Sequence, residues 1–404
     1  MQMHELGVRL HGVALKLETD HLPLLTYAAE HLHGLVDATL KSPDIVVKCF
    51  WSQEDEDPET NPFAPQSGAM NVIGKRMLGN AEELIWLDTL RMKGLQLRFR
   101  RENGRFVFDV AYRFHPKKEK AENLPEYEYK RYFSLMSYLV YYPLIWHLER
   151  FRGWTILHAS ALAFDQLTRP DASLSSSSAS LSSSSVSLSS GSVSLSSAGG
   201  ILIGGLGGVG KTTTCVALMQ RPGVALMSEN IIFTDGEFIY PCYEPIRLDA
   251  GSLAMLGDLG ERSTERSRRS LGRAENPLGL IRMAFPEGLK DKWLFHLKKS
   301  ELPPKIKPRW MFLPQFSSRR YLKALAPELA AEKIQAMNRL TRELDDYGWY
   351  AAALDMHWPK AGQARNRVEV LRRFAQQVRC YELGIDRSAG VEAVVEDIFK
   401  TIQS

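Results

Sequence analysis

Residues 200–214 read Gly-Ile-Leu-Ile-Gly-Gly-Leu-Gly-Gly-Val-Gly-Lys-Thr-Thr-Thr, and this stretch decides the fold of the second half of the chain. It matches the pattern G-x-x-x-x-G-K-[ST], with Gly205 in the first position and Lys211 and Thr212 in the last two. An apolar strand precedes the match and a predicted helix, residues 211–220, follows it, which is the context that the pattern requires. The stretch therefore predicts a strand, a glycine turn and a helix in an α/β domain.

The glycine loop, residues 205–210, has the composition of a phosphate-binding loop. Backbone N–H groups must wrap a phosphate closely, which side chains at several positions would prevent, and the N-terminus of the following helix adds a favourable dipole. Lys211 is expected to contact the β- and γ-phosphates, and the Thr212 hydroxyl to bind Mg²⁺. The predicted nucleotide-binding residues are Gly205, Gly207, Gly208, Val209, Gly210, Lys211, Thr212 and Thr213.

A carboxylate follows the next predicted strand. Residues 224–230 read Val-Ala-Leu-Met-Ser-Glu-Asn, so Glu229 lies at the C-terminal end of that strand, where ligands gather in open α/β sheets. Phosphoryl transfer needs acidic groups for the metal and a base for the acceptor. Glu229 is the candidate for both roles and Asn230 is a candidate metal ligand; the alternative for Glu229 is an ordinary strand-end charge. Asp235, in Thr-Asp-Gly-Glu, is expected to shape a hairpin turn.

Composition describes a packed protein of 404 residues that is 44% hydrophobic and 24% charged, with a formal net charge of +4. Its 10% aromatic content excludes a disordered chain, and the small net charge gives no indication of nucleic-acid binding. The four cysteines lie far apart without a Cys-x-x-Cys pair, which favours a reducing, cytoplasmic location. Residues 135–146, the most apolar segment, are too short to cross a bilayer and predict a buried helix.

The chain divides into a predicted N-terminal strand-rich α+β domain over residues 1–125, a joining helix over 126–152 kinked at Pro143, and an α/β domain over 153–404. Within the first domain, residues 95–99 and 106–114 alternate apolar and polar side chains across the turn Glu-Asn-Gly-Arg, which predicts a hairpin. Further elements are expected in the second domain: strands at 155–164, 201–203, 224–227, 231–234, 238–240 and 310–313, and helices at 211–220, 326–345, 361–374 and 389–402.

A serine-rich repeat lies between the strand at 155–164 and the glycine loop. Its units are ASLSSSS, ASLSSSS, VSLSSGS and VSLSSAG, over residues 172–199. One leucine per seven residues cannot offset an ordering entropy of roughly 1–2 kcal/mol per residue, so residues 165–199 are predicted to be a disordered insertion. A segment that binds a partner or is modified is the alternative. Because loop-closure entropy grows only slowly with length, the tip of a surface hairpin can carry such an insertion.

The order of these elements resembles the C-terminal domain of HPr kinase/phosphorylase and its homologues, in the phosphoenolpyruvate-carboxykinase-like group of P-loop folds. The resemblance covers residues 151–397 and rests on Leu-His-Ala-Ser-Ala at 157–161, the glycine loop, Leu-Met-Ser-Glu-Asn at 226–230 and the hairpin after it. It implies that the chain binds ATP and Mg²⁺ and transfers the γ-phosphoryl group to a serine hydroxyl.

The resemblance also implies roles for individual residues. His158 matches the family histidine beside the catalytic acid, where it would orient the base; without the family it would be an ordinary core histidine. Glu229 and Asn230 match the family's paired aspartates, although glutamate is one methylene longer and asparagine carries no charge for Mg²⁺. The family's signature of glycine and arginine has no clear match here. Arg247 is a candidate phosphate or substrate contact, and the basic stretch at 262–273 is a candidate phosphate clamp or a solvated loop.

Two hypotheses for the function follow. The first is an ATP- and Mg²⁺-dependent kinase that acts on a hydroxyl of a protein, a peptide or a small molecule, with Glu229 as base, Lys211 on the phosphates, and Thr212 and Asn230 at the metal. The second is a regulatory module that binds a nucleotide with little or no transfer. No nucleic-acid or membrane partner is expected, and homo-oligomerisation is left open.

Overall fold

The computed structural model describes residues 2–52, 62–63, 69–87, 92–114, 124–164, 199–248, 293–295 and 302–403. These residues form a mixed α/β fold with two mixed eight-stranded sheets, one in each half of the chain, and a separate two-stranded ladder. Among them no helix is both long and apolar enough to cross a bilayer.

The first sheet lies wholly in the N-terminal part of the chain. Its strands are β1 (His4–Leu10), β2 (Val13–Thr19), β3 (Ile45–Ser52), β4 (Asn71–Gly74), β5 (Met77–Gly79), β6 (Glu83–Trp86), β7 (Leu95–Glu102) and β8 (Arg105–Arg113). Their order is β1-β2-β3-β8-β7-β6-β5-β4, and β3 pairs in parallel with both β2 and β8. The hairpin of β7 and β8 confirms the alternation seen in the sequence, and its turn is Asn103-Gly104, both with positive φ.

Helix α1 (Leu22–His31) packs on this sheet, and a longer helical segment leads to the second half of the chain. That segment consists of α2 (Leu124–Met136), a π-helical turn (Ser137–Tyr141) and α3 (Tyr142–Arg152). The irregularity therefore precedes Pro143. Its hydrogen bond from the Tyr142 N–H spans five residues back to the Ser137 carbonyl. A proline lacks the N–H that would continue the α-helical ladder, and a π turn absorbs that defect.

The second sheet contains the glycine loop. Its strands are β9 (Thr155–Phe164), β10 (Gly199–Gly204), β11 (Val224–Ser228), β12 (Ile231–Thr234), β13 (Ile239–Pro241), β16 (Lys307–Phe316), β17 (Tyr321–Leu325) and β18 (Arg379–Ile385). The order is β13-β12-β9-β10-β16-β18-β17, with β10, β16 and β18 parallel and β11 beside β9. Strands β14 (Ile246–Leu248) and β15 (Trp293–Phe295) form the separate ladder.

Helices cover both faces of the second sheet. They are α4 (Lys211–Met219), α5 (Pro327–Leu340), α7 (Gln363–Gln377) and α8 (Gly390–Gln403); α6 (Arg342–His357), which lies between α5 and α7 in the sequence, packs elsewhere. On one face α5 and α7 bury Ile334 and Phe374 against β9 and β16. On the other face α4 and α8 bury Val216 and Ile398 against β10 and β18. The sheet is buried on both sides because its central strands are apolar on both faces.

Helix α6 belongs to a different core. Tyr347, Tyr350 and Leu354 join the hydrophobic core of the first sheet, where the Tyr350 ring lies 5.3 Å from that of Phe99 in an edge-to-face arrangement. The predicted boundary after residue 152 separates the two sheets, yet the first core includes a helix from beyond that boundary. The two halves of the chain therefore share packing.

The helix predicted over residues 326–345 is wrong as a single element. The chain forms two helices there, α5 and α6, separated at Thr341, whose φ of −84° and ψ of 123° are extended. Thr341 is followed by acidic residues in the first turn of α6, a start signal that the apolar periodicity hid. The predicted helices at 361–374 and 389–402 are confirmed with shifts of a few residues, and strands β17 and β18 were missed.

The strands beside the serine-rich repeat form an antiparallel pair. Phe164, the last residue of β9, lies opposite Gly199, the first residue of β10. Gly199, assigned to the insertion in the sequence, is thus a strand residue. Residues 165–198 lie outside the described residues, so the predicted disorder stays a prediction. The register shows that the segment connects two strand ends that are already adjacent.

Candidate functional site

The glycine loop connects β10 to α4 through a backbone that only glycine adopts easily. Gly208 and Gly210 have φ of +83° and +87°. A Cβ added at either residue, or at Gly207, would meet no atom within 4 Å. The backbone of the loop is therefore open to a ligand on the side where side chains would stand. These features fit a loop that wraps a phosphate with its N–H groups.

Lys211 begins α4 and lies across the glycine loop. Its ammonium group donates to the carbonyl oxygen of Gly205 at 2.9 Å and approaches that of Leu206 at 3.5 Å. Only 7% of the residue is exposed, and this burial lowers the pKa of Lys211 while the Glu229 carboxylate opposes that shift. Within the described residues, the hydrogen bonds of this buried ammonium group go to neutral carbonyls, so an anionic ligand would be a stronger partner for it.

Thr212 and Glu229 are joined directly. The Thr212 hydroxyl donates to Oε1 of Glu229 at 2.5 Å. Glu229 follows the end of β11, as expected, and is 4% exposed. The sheet brings these residues together because β10, which leads into the loop, and β11 both pair with β9.

The backbone around Glu229 is fixed by two serines. The Ser160 hydroxyl, on β9, donates to the carbonyl of Glu229, and the Ser228 hydroxyl donates to the carbonyl of Ile231 at 2.7 Å. Asn230 is half-buried in the tight connection between β11 and β12. Glu229 and Asn230 thus lie on a turn whose backbone is hydrogen-bonded on both sides, and the Glu229 side chain also bonds to the loop helix.

His158 lies on β9 against the same loop. Its Nδ1 is 3.1 Å from the Gly205 carbonyl and 3.1 Å from Oγ1 of Thr341. A carbonyl oxygen only accepts, so Nδ1 carries the proton in the neutral ring. Burial lowers the pKa of His158 to about 4, and the positive charge of Lys211 adds to this effect, while Glu343 opposes it. His158 is therefore neutral near pH 7.

These bonds differ from the role implied by the resemblance. In the described part of the chain, the hydrogen bonds of the His158 ring go to Gly205 and Thr341, and no bond joins it to Glu229. His158 lies at the site as expected, but it contacts the loop rather than the carboxylate.

Asn338, near the end of α5, contacts the backbone of β9 beside His158. Its Oδ1 accepts the His158 N–H at 3.0 Å, and its Nδ2 donates to the Ile156 carbonyl at 2.9 Å. The pairing of β10 with β9 ends at Gly204 and Ala159, where β10 turns into the loop. The side-chain amide of Asn338 thus satisfies strand groups that β10 no longer reaches.

The first turn of α6 completes this side of the site. Thr341 precedes that turn, and Glu343 within it is exposed and close enough to shift the pKa of both His158 and Lys211 upward. The Tyr142 hydroxyl, on α3, donates to the Glu343 carbonyl at 3.0 Å. Sequence reasoning missed Asn338, Thr341 and Glu343. Only the start signal at Thr341 was available there, and it predicts a helix boundary rather than a site.

Two further predicted residues lie away from the loop. Asp235 accepts hydrogen bonds from the N–H groups of Glu237 and Phe238, both at 2.8 Å, and from the Tyr240 hydroxyl at 2.7 Å. This confirms its structural role in the turn between β12 and β13. The backbone of Arg247 lies in β14, but its side chain, like the whole basic stretch at 262–273, is outside what the structure describes.

Comparison of the chain with protein-family models and with curated proteins gave no match. The function must therefore be inferred from the residues and their geometry.

The oxygen ligands near the glycine loop fit Mg²⁺. A threonine hydroxyl, a carboxylate and an amide, from Thr212, Glu229 and Asn230, are the hard donors that this ion prefers. Nowhere in the described ranges do three His, Cys, Asp or Glu side chains form a group that could hold a metal. Mg²⁺ is usually held by one or two carboxylates together with phosphate oxygens and water, so this sparse set is compatible with it.

Proposed function

We propose that the chain binds ATP with Mg²⁺ and transfers the γ-phosphoryl group to a hydroxyl group of a protein, a peptide or a small molecule. The observation that carries this proposal is the hydrogen bond from Thr212 to Glu229. It brings the hydroxyl that follows the loop lysine to the carboxylate at a strand end, which is the pair of oxygens that a P-loop enzyme directs at Mg²⁺. The resemblance to HPr kinase/phosphorylase supports the same reaction.

The residues divide the work as follows. The N–H groups of the glycine loop and Lys211 bind the phosphates, and the ammonium group stabilises the charge of the transferred group. Mg²⁺, held by Thr212, Glu229 and the Asn230 amide, would neutralise phosphate charge. The acceptor oxygen forms a bond to the γ-phosphorus, the bond to the bridging oxygen breaks, and ADP leaves. The hydroxyl proton passes to the carboxylate of Glu229.

Phosphoryl transfer needs mainly positioning and charge stabilisation, because the protein supplies little covalent chemistry. Lys211 and Glu229 are buried beside the loop, and hydrogen bonds already hold both side chains in place. Pre-formed positions of this kind favour catalysis over loose nucleotide binding.

The test uses the purified full chain with Mg²⁺ and ATP labelled in the γ-phosphate, with and without protein and metabolite fractions as acceptors. Lys211→Ala is expected to lower transfer on the order of 100-fold or more, and Glu229→Gln to abolish it while nucleotide still binds. Lys333→Ala is the matched control, since Lys333 is a half-buried lysine of α5 that pairs with Glu382 of β18 rather than with the glycine loop. Transfer that is unaffected by Glu229→Gln would refute the assignment of the base.

A second function, nucleotide-dependent regulation, is favoured by one observation. The Tyr142 hydroxyl of α3 bonds to the first turn of α6, so the helix that follows the N-terminal sheet contacts an element beside the loop. Occupancy of the loop could be sensed through this contact. Nucleotide binding without Glu229-dependent transfer to any acceptor would favour this function over the kinase.

A further inference from the structure

Two hydrogen-bond donors share one acceptor in the site. The Lys211 ammonium group and the His158 Nδ1–H both point to the carbonyl oxygen of Gly205, at 2.9 Å and 3.1 Å. A phosphate would draw the ammonium group away from this carbonyl, because an anion is the stronger acceptor. A buried carbonyl left without a donor costs free energy, so the remaining bond from His158 determines how easily Lys211 is released.

His158 can perform this task only if its ring keeps the proton on Nδ1. The alternative neutral tautomer would direct a lone pair at the carbonyl, and the two acceptors would repel each other. The tautomer of a histidine is set by the partners of its ring nitrogens, and here the second partner of Nδ1 is the Thr341 hydroxyl.

Thr341 is placed unusually for its residue type. It is the N-cap of α6, where a threonine hydroxyl normally accepts an N–H from the first turn, yet it makes no side-chain cap. Its hydroxyl instead donates to the Met337 carbonyl at 3.0 Å. That donation leaves only lone pairs toward His158, so the hydroxyl accepts from Nδ1–H and favours the tautomer that the Gly205 carbonyl needs.

Asn338 holds the backbone of the same residue. Its side chain bonds to the N–H of His158 and to the carbonyl of Ile156, in the part of β9 that no longer pairs with β10. Asn338 and Thr341 lie three residues apart at the end of α5, and together they fix both the backbone and the ring of His158.

We propose that Asn338 and Thr341 are positioning residues that hold His158 with its Nδ1–H on the Gly205 carbonyl, so that Lys211 is free to move to a phosphate. This inference rests on the proposed function for its phosphate, but its geometric part does not depend on any reaction. Both residues act through His158, which they contact directly.

The first measurement is the tautomer of His158. Nitrogen NMR of protein labelled in its histidine rings, assigned with His158→Gln, reports which ring nitrogen carries the proton. Wild type is expected to have the proton on Nδ1. Thr341→Val is expected to increase the Nε2–H form, and Thr341→Ser to restore the wild-type spectrum. An Nε2–H ring in wild type, or the same spectrum in Thr341→Val, would overturn the proposal.

The second measurement is the dissociation constant for a non-hydrolysable ATP analogue with Mg²⁺. Thr341→Val and Asn338→Leu are each expected to weaken binding by about threefold to tenfold, the equivalent of one net hydrogen bond, with Thr341→Ser near wild type. Asn366→Leu is the matched control, because Asn366 donates its amide to the Gly153 carbonyl outside the site. If Asn366→Leu weakened the affinity for the analogue as much as Asn338→Leu does, general destabilisation would explain both effects. That result would refute the positioning role.

The two measurements separate the failure of this inference from the failure of the proposed function. A protein that binds the analogue but transfers no phosphoryl group contradicts the kinase and leaves the inference supported by both readouts. A protein that shows the Nδ1–H tautomer and its dependence on Thr341, but binds no triphosphate, supports the positioning of His158 and refutes the role in phosphate binding.

Discussion

His158 and Lys211 meet at one atom, the carbonyl oxygen of Gly205. They belong to a strand that precedes the serine-rich repeat in the sequence and to a helix that follows it. Both side chains are basic and both are buried, so a proton on His158 would place two positive charges around one carbonyl. The neutral imidazole is the form compatible with this arrangement: burial, and after it the positive charge of Lys211, lowers the pKa of His158.

The first prediction concerns stability against pH. The pKa of His158 falls from 6.5 to about 4 in the folded protein, so the unfolded chain takes up this proton first as the pH falls. The stability that the folded protein gains from a neutral His158 is fully present above pH 6.5 and is lost as the pH falls toward 4. Between pH 7 and pH 4.5 it amounts to about 2.5 kcal/mol of unfolding free energy. Urea unfolding should show that much less pH dependence in His158→Asn than in wild type; equal curves would contradict the assignment.

The second prediction concerns the bond between Thr212 and Glu229. A hydrogen bond to a buried carboxylate is worth about 1.5–3 kcal/mol, so Thr212→Val and Glu229→Gln should be strongly non-additive in a double-mutant cycle of urea unfolding without nucleotide. Thr212→Ser keeps the hydroxyl and serves as the control. Additive effects of the two substitutions would show that the side chains are not coupled.

The third prediction concerns a buried carboxylate that joins α3 to α6 and α7. Glu149 accepts the Tyr347 hydroxyl at 2.6 Å and pairs with Arg367 at 2.7 Å, while burial raises the pKa of its carboxyl. Glu149→Gln should destabilise the fold by about 2 kcal/mol or more, since it leaves a guanidinium group poorly compensated. Asp397→Asn, in an exposed pair with Arg320, should cost less than about 1 kcal/mol. Similar losses for both would argue against the importance of burial.

The fourth prediction concerns the serine-rich repeat. Because Phe164 and Gly199 already lie opposite each other, replacing residues 165–198 with a two-residue Asn-Gly turn should leave the affinity for the ATP analogue within about twofold. Shortening the loop from 34 residues to two should also raise the unfolding free energy by about 2.5 kcal/mol, since loop closure costs about 0.6 kcal/mol for each doubling of length. Isothermal titration and urea unfolding of the shortened chain provide the comparison. A large loss of affinity would show that the repeat takes part in binding.

The parts of the fold that the sequence predicted are those set by local pattern. Strand β9 was predicted with both ends correct, and β12 likewise, because each is a short apolar run bounded by polar or turn residues. The loop and α4 follow from a motif with fixed spacing. Strand β18 and the division between α5 and α6 were missed, since tertiary packing rather than local periodicity determines them.

The same distinction applies to the site. Lys211, Thr212 and Glu229 became candidates from the sequence because they lie within twenty residues of one another around a recognisable motif. Asn338 and Thr341 were not, as each lies about 180 residues along the chain from His158, the residue it contacts. An asparagine or a threonine in a helical segment gives no indication in the sequence of which strand it will contact. The contacts of Asn338 and Thr341 with His158 are therefore visible only in the three-dimensional structure.

The π turn at Ser137–Tyr141 sets the rotational phase of everything that follows it in the joining segment. Each residue of an α-helix turns the chain by roughly 100°, so one residue absorbed in a wider turn rotates the rest of the helix by that angle. Tyr141, the last residue of the π turn, bonds through its hydroxyl to His31 of α1. Tyr142, the next residue, donates its hydroxyl to the Glu343 carbonyl of α6, beside the glycine loop. The segment thereby contacts both α1 and α6, and deleting a single residue there would turn α3 away from α6 and from Tyr347 and Arg367, the partners of Glu149.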